Sequence, residues 1–389
     1  MPAAAIKSEN SIVHEKWDNE DLAKVRIKVL KDHTDSVTSC QYIQESQKAA
    51  SASTDCSVKL WNLKTGECIK TYEDLHTVNI SQTHFMLDGS KFLTCGWDKA
   101  LKFSDAETGK CLLQKCHEDF LTCCQLSHDG KLMAVGSDMS CSLKIYDVDS
   151  GALIHNLENF HKSSITSVKF APDDDKIITT SSDRTAKFYD LLTGTTTLNL
   201  EGHTNIVSSC DISHDERNFA TASWDKTILL WDVATGMYRS KGPTMLKGGH
   251  DGSVSCCQFS SDGLLLVTGS YDMNIVVWDL ENSVQKLKLQ GHSDWVNDVC
   301  FSEDQKWLLS CSRDTTLRLW NIEESDQIPM VMENKKTVNI KVAKCSKCGK
   351  PFSLSQLESF QDVTRCVFCR LAKPDKSWLG FSDSSNTSS

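Results

Sequence analysis

The chain has no long apolar run. Its longest aliphatic stretches, such as Leu264–Val267, fall far short of the roughly 20 residues that a membrane-spanning helix needs. The first residues, MPAAAIKSENSIVHEKWDNE, lack a basic start followed by an apolar segment. No secretory signal is therefore visible, and an intracellular protein, cytoplasmic or nuclear, is expected. Positive charge is also in deficit: 42 Lys and Arg face 52 Asp and Glu, a net charge of −10. That balance argues against a general affinity for nucleic-acid phosphates. No phosphate-binding glycine loop, nucleophile elbow or open metal site occurs, so an enzyme and a small-molecule substrate are not expected.

What is present is a repeat. Seven histidines (His33, His76, His117, His161, His203, His250, His292) are each followed by an aspartate, at i+22 in all but one case. These are Asp55, Asp98, Asp138, Asp183, Asp225, Asp272 and Asp314, and the His-to-His steps are 43, 41, 44, 42, 47 and 42. A period of about 40–45 residues marks a unit of four short strands, one blade of a β-propeller. Residues 203–232 illustrate it. Val207 to Ile212, Asn218 to Ser223 and Thr227 to Trp231 read as strands separated by turn signals, with a fourth strand around Met237 to Lys247. The expected class is all-β: a seven-bladed propeller over 23–322, after a disordered tail (1–22) and before a linker (323–342). Fourteen of the 18 cysteines fall within the repeats, many beside apolar residues, and are read as reduced packing thiols.

The pattern resembles the WD-repeat family. Gly202-His203, Gly249-His250 and Gly291-His292 open repeats; Trp61-Asn62, Trp231-Asp232, Trp278-Asp279 and Trp320-Asn321 close them. The resemblance implies buried tetrads of His, Ser or Thr, Asp and Trp. The complete sets are His33, Ser51, Asp55, Trp61; His203, Thr221, Asp225, Trp231; His250, Thr268, Asp272, Trp278; and His292, Ser310, Asp314, Trp320. A buried carboxylate needs such donors. Ser, His and Asp repeated seven times at constant spacing form a staple, because a catalytic triad occurs once and exposes its nucleophile. Blades two to four depart from the pattern and should be less tightly stapled. Ser104 replaces Trp in repeat two. Repeat three has Ala134 at the hydroxyl position, Tyr146 for Trp and two extra residues after Asp138. Repeat four has Tyr189.

The seventh repeat supplies only three strands before the polar break Glu323-Glu324-Ser325-Asp326. Lys24 to Leu30 alternates basic and apolar residues, as a half-buried strand does, and is expected to complete blade seven and close the ring. After the propeller, Cys345-x2-Cys348 and Cys366-x2-Cys369 are separated by the stretch Gly349 to Arg365. That is the spacing of a zinc-ribbon-like module, expected over 343–373 with one structural Zn2+ held by four thiolates. Iron, disulfides or a redox pair are alternatives for the same cysteines. Residues 335–376 hold ten Lys or Arg against three acids, +7, which leaves −17 elsewhere. The tail 374–389 is low in complexity and expected to be disordered.

By the resemblance, the residue before each turn Asp faces one loop surface. These residues are Thr54, Trp97, Ser137, Ser182, Trp224, Tyr271 and Arg313, and Trp295 lies near the last of them. Trp, Tyr and Arg are enriched at binding hot spots. Trp97, Trp224, Tyr271, Trp295 and Arg313 are therefore the partner-binding candidates. The expected function is a non-catalytic scaffold for other proteins, acting as a monomer within a larger complex. A ubiquitin-ligase substrate receptor is an alternative, but the Arg such receptors carry two residues after Trp-Asp is missing: the positions read Lys64, Asp149, Leu192, Ala234, Glu281 and Glu323. An RNA-associated adaptor acting through the basic zinc module is a second alternative. The stretches DLAKVRIKVLKDHTDSVTSC, NIEESDQIP, CSKCGKPFS and TRCVFCR are similar to one WD-repeat subfamily that joins a propeller to such a cysteine tail.

Overall fold

The computed structural model describes residues 25–43, 47–234 and 242–323, and the backbone of 342–344 and 351–353. The chain divides into two compact units, Met1–Pro329 and Met330–Ser389. Among the described residues of the first, 28 strands form seven four-stranded antiparallel sheets, the blades of a propeller. The expected tails, most of the linker and the cysteines of 343–373 lie outside the described residues. Among the described residues no helix is long and apolar enough to cross a membrane.

Each blade is a meander. Blade five runs Val207–Ile212, Asn218–Ser223, Ile228–Asp232 and Thr244–Leu246. Second strands such as Lys176–Ser181 are buried along nearly their whole length, because neighbouring blades cover both faces. Outer strands such as Cys111–Cys116 alternate between partly buried and exposed positions, as expected where one face meets water. The fourteen described cysteines are free, and nine of them are buried, in keeping with their reading as packing thiols.

The four complete tetrads form. In blade one His33 Nδ1 lies 2.8 Å from Asp55 and Nε2 2.7 Å from Ser51 Oγ, and Trp61 Nε1–H donates to the same oxygen at 2.8 Å. The same three distances are 2.8, 2.9 and 3.0 Å in blade five and 2.8, 2.8 and 2.9 Å in blade seven. In blade six the His250–Asp272 contact lengthens to 3.2 Å, while the bonds to Thr268 are kept. The proton positions follow. A carboxylate only accepts, so Nδ1 carries the hydrogen and Nε2 must accept from the hydroxyl, which in turn accepts from the indole. Burial alone would raise the Asp55 carboxyl, but the bonds from His33 and Ser57 win and hold it well below the usual range. Asp183, Asp272 and Asp314 are held low in the same way, each chiefly by its histidine. Burial keeps His76, His161, His203 and His292 below the ordinary imidazole value against the pull of their aspartates. The tetrad hydroxyls of Ser51, Thr221, Thr268 and Ser310 are buried, so none of these four faces solvent.

The weaker blades fail in distinct ways. Blade two keeps His76–Asp98 and His76–Thr94, both at 2.8 Å, but Ser104 Oγ is buried without a partner. The lost indole is offset across the strand: Phe92 faces Ser104, where blade one pairs Ala49 with Trp61. Blade four keeps His161–Asp183 and His161–Thr179, while the Tyr189 hydroxyl bonds His155 instead. Blade three corrects the sequence reading twice. Asp138 does not pair with His117, whose Nε2 has no partner. The Asp138 amide instead bonds the Phe120 carbonyl, the bond that Trp97 and Trp224 make in their own blades. The His-to-Asp spacing is 21 there, so Asp138 occupies the position before the expected aspartate, and Val135, not Ala134, stands in the hydroxyl place. Burial and nearby Lys144 then push His117 down to about 4.

The ring closes as expected, with a shifted boundary: the strand is Ile27–Lys31 rather than Lys24–Leu30. It pairs antiparallel with Thr316–Asn321, Ile27 opposite Trp320 and Lys31 opposite Thr316. Leu30 is fully buried among Leu317, Leu319 and Trp61. Lys28 Nζ reaches the carbonyls of Leu63 and Lys64 in blade one at 3.1 and 2.6 Å. A second feature was not anticipated. Five residues after every histidine, a side chain donates to the first-strand carbonyl of the next blade. Thr38, Ser81, Thr122, Thr166, Ser208, Ser255 and Asn297 reach Ile80, Leu121, Ile165, Val207, Val254, Val296 and Val37 at 2.5–2.9 Å. Every seam is therefore stitched once, including the one between blades seven and one.

Candidate functional site: the loop face and the central channel

The turn between second and third strands positions the loop face. The residue before the turn aspartate bonds back to the residue three after the histidine, as Trp97 to Asn79, Trp224 to Ile206, Tyr271 to Ser253 and Arg313 to Trp295. Outside blade three, the residue after the aspartate has positive φ, for example Arg184 at 73°, Lys226 at 69° and Thr315 at 70°. That left-handed residue reverses the chain within two positions of the buried carboxylate. Each braced Asp thus fixes the loop side chains on both sides of it. Ser137 is buried, and Asp138 takes its expected place on this face. Thr54 and Ser182 are partly buried and donate their backbone N–H to Ser36 and Ser164.

Four of the five candidates form one ladder. Trp224 meets Tyr271 edge-on, ring centres 5.9 Å apart at 63°. Tyr271 stacks on Trp295 at 4.6 Å and 24°. The Arg313 guanidinium lies 4.8 Å from the Trp295 ring centre and 3.9 Å from Asp294. Trp224, Trp295 and Arg313 remain 37, 41 and 53 % exposed. Burial raises the Tyr271 hydroxyl above its usual range, so it stays protonated at neutral pH. The fifth candidate, Trp97, is not part of this ladder. It pairs with Phe120 across blades two and three, 5.9 Å apart, with Lys99 over the Phe120 ring. Met139, in the altered turn of blade three, is 79 % accessible. Sequence reasoning missed Phe120 and Met139. The signal for both was the short His117–Asp138 spacing.

The first strands line a central cavity of about 300 Å3. Side chains there stitch blade to blade: Gln41 to Phe85 N–H, Gln125 to Phe170 N–H, Asp211 to Phe259 N–H and Gln258 to Phe301 N–H, at 2.6–2.8 Å. Asp298 accepts the Cys40 N–H at 3.1 Å across the closing seam. Blade four places Lys169, eight residues after its histidine, where Gln41, Gln125, Asp211 and Gln258 stand in their own blades, and a cation there cannot accept. Burial works against its charge, but Asp211 and Asp298 outweigh it and raise its pKa. Burial also raises both carboxyls, Asp298 to about 6. Among the described residues no cluster of His, Cys, Asp or Glu could hold a metal ion. Cys345, Cys348, Cys366 and Cys369 lie outside them.

The family model "WD domain, G-beta repeat" matches residues 24–62, 109–147, 151–190, 194–232, 243–279 and 283–321. The matched stretches skip 63–108, which contains Ser104 in place of Trp, although that stretch supplies most of blade two. Human WD repeat-containing protein 88 is 36 % identical over 359 residues, 91 % of this chain and 76 % of the relative. Eukaryotic translation initiation factor 3 subunit I of Drosophila willistoni is 27 % identical over 230 residues, 55 % of this chain and 71 % of that protein. Pre-mRNA-processing factor 19 of Bos taurus is 28 % identical over 165 residues, covering 42 and 31 %.

The channel generates a pH test. The folded Asp298 pKa, about 6, lies above its ordinary 3.8. The fold therefore holds the proton more tightly than the unfolded chain, and the ionised group costs stability above that pH. Asp298→Asn removes the buried charge and keeps an oxygen for the Cys40 N–H, but it turns an amide NH2 to the Val299 N–H that the second carboxylate oxygen accepts at 2.9 Å and takes a counter-charge from Lys169. Whatever the offset, urea unfolding should show the natural chain gaining about 1–3 kcal/mol relative to the variant as pH falls from about 7.5 to about 4.5. A difference between the two that does not change with pH would contradict this account.

Proposed function

The chain belongs to the family of WD-domain, G-beta-repeat propellers, and from that premise we propose that it is a non-catalytic scaffold binding partner proteins through the loop face of blades five to seven. The observation that carries the reading is the continuous ladder of Trp224, Tyr271, Trp295 and Arg313. Three aromatic rings and a guanidinium, preassembled and partly exposed, make a low-entropy contact surface of the composition seen at interface hot spots. Relatives named as an initiation-factor subunit and a pre-mRNA-processing factor support a role inside assemblies, and with it an intracellular location. Trp97 with Phe120 offers a smaller second contact on blades two and three.

The four C-terminal cysteines are assigned one structural Zn2+. Supporting this, the pair Cys345-x2-Cys348 and the pair Cys366-x2-Cys369 have the spacing of a four-thiolate site, and Val342–Lys344, just before the first pair in sequence, is antiparallel to Pro351–Ser353. The basic residues around it are the feature on which an RNA-adaptor reading rests. A ubiquitin-ligase receptor reading has only Lys64 at the position where such receptors carry Arg.

Two measurements test these assignments. Affinity purification with mass spectrometry should show partners retained by the natural chain and lost with Trp224→Ala, Tyr271→Ala, Trp295→Ala and Arg313→Ala combined. An unchanged partner set would refute the loop-face reading. Elemental analysis should find one zinc per chain, abolished by Cys366→Ser with Cys369→Ser, with the propeller melt unaffected by chelation. Absence of stoichiometric metal would remove the assignment, and stoichiometric iron would replace it.

A further inference from the structure

We infer that the loop face of blades four to seven receives an acidic peptide segment, its carboxylates on a cationic arc and a neighbouring apolar side chain against Trp224. The inference rests on the loop-face reading and adds the chemistry of the partner. The arc consists of Lys162, Arg184 and Lys226, all exposed. Lys162 and Arg184 sit on either side of the blade-four turn: the Lys162 amide donates to Asp183 Oδ2 at 2.9 Å, and Arg184 follows Asp183. Lys226 occupies the equivalent place in blade five, two residues beyond Trp224. The nearest carboxylates in sequence cannot neutralise these cations freely. Asp183 and Asp225 are only 6 and 10 % exposed and are committed to His161 and His203. No ion pair to Lys162, Arg184 or Lys226 is found among the described residues.

The ladder beside this arc is a poorer fit to two other ligand classes. Tyr271 and Arg313 lie 4.6 and 4.8 Å from the Trp295 ring centre, so the approach to that ring is partly occupied. A nucleic-acid base would compete with them there, whereas stacking on a single-strand platform requires an open ring. A basic side chain likewise finds the cation position over Trp295 already filled by Arg313. Ring edges and the exposed side of Trp224 remain, and these suit an aliphatic or aromatic side chain. Unpaired cations next to such a surface favour carboxylates on the same peptide.

The test uses the full chain and labelled synthetic dodecapeptides that carry a central Leu with Glu, Ser or Lys at the flanking positions, alongside an oligouridylate of equal length. Fluorescence anisotropy should rank the Glu peptide first, with affinity falling as salt rises. Lys162→Ser, Arg184→Ser and Lys226→Ser combined should weaken it by at least about tenfold while the melting temperature is unchanged, since all three side chains are exposed. Trp224→Ala should weaken the Glu and Ser peptides alike. No binding of the Glu peptide, tighter binding of the Lys peptide or the RNA, or an affinity within about twofold in the triple variant would each overturn the inference. If Trp224→Ala still weakens the Ser peptide while the triple variant binds normally, the acidic class fails and the loop-face reading stands. If neither variant alters any peptide, both fall.

Discussion

The propeller depends on a short strand at one end of the chain pairing with another near the far end of the fold. Ile27–Lys31 completes blade seven against Thr316–Asn321. Six of the seven seams join blades that follow one another along the chain. The seventh must be found in space, between segments from opposite ends of the propeller sequence. Asn297 to Val37, Asp298 to Cys40 and Lys28 to the Leu63 carbonyl all span that seam. Without the N-terminal strand, blade seven would present an open edge and lose the cover over Leu317 and Trp320. Unpaired strand edges are sites of mispairing. Closure therefore turns seven marginal sheets into one body.

Within that body, redundancy allows local loss. Each seam has a hydroxyl or amide stitch, and six blades keep the His–Asp bond. Blade three can then give up its tetrad without losing its sheet. In exchange it exposes Met139 and sets Phe120 beside Trp97. The intact tetrads of blades five to seven do the reverse and hold their turns fixed, and the aromatic ladder sits there. Rigid turns presenting preassembled side chains reduce the entropy cost of binding. The braces and the binding surface are thus linked through the same turn, with a buried carboxylate on one side and a partner-facing ring on the other.

Spacing made the blade count and the closing strand readable, because each reflects a period or an alternation, while the tetrads were implied by the resemblance to the WD-repeat family. The errors arose where one residue changed register. His117 and Asp138 look like a pair until the turn is built, and then Asp138 proves to be the loop residue and Val135 the one facing the ring. The stitch five residues after each histidine went unread because Ser and Thr are common in strands for other reasons. The candidates Trp224, Tyr271, Trp295 and Arg313 were readable as surface positions. That they pack on one another in a row depends on angles no spacing reveals. Lys169 was invisible for a similar reason: its meaning comes from the acceptors that occupy its place in neighbouring blades. Cys345, Cys348, Cys366 and Cys369 were read as a ligand set from spacing, and they lie outside the described residues.

Thermal unfolding of the chain lacking residues 1–32, with and without a synthetic peptide spanning 24–32, tests the central claim most directly. Ring closure requires a melting temperature lower by on the order of 10 °C or more, or loss of a single cooperative transition, with partial recovery when the peptide is added. An unchanged melting temperature in the shortened chain would contradict the account.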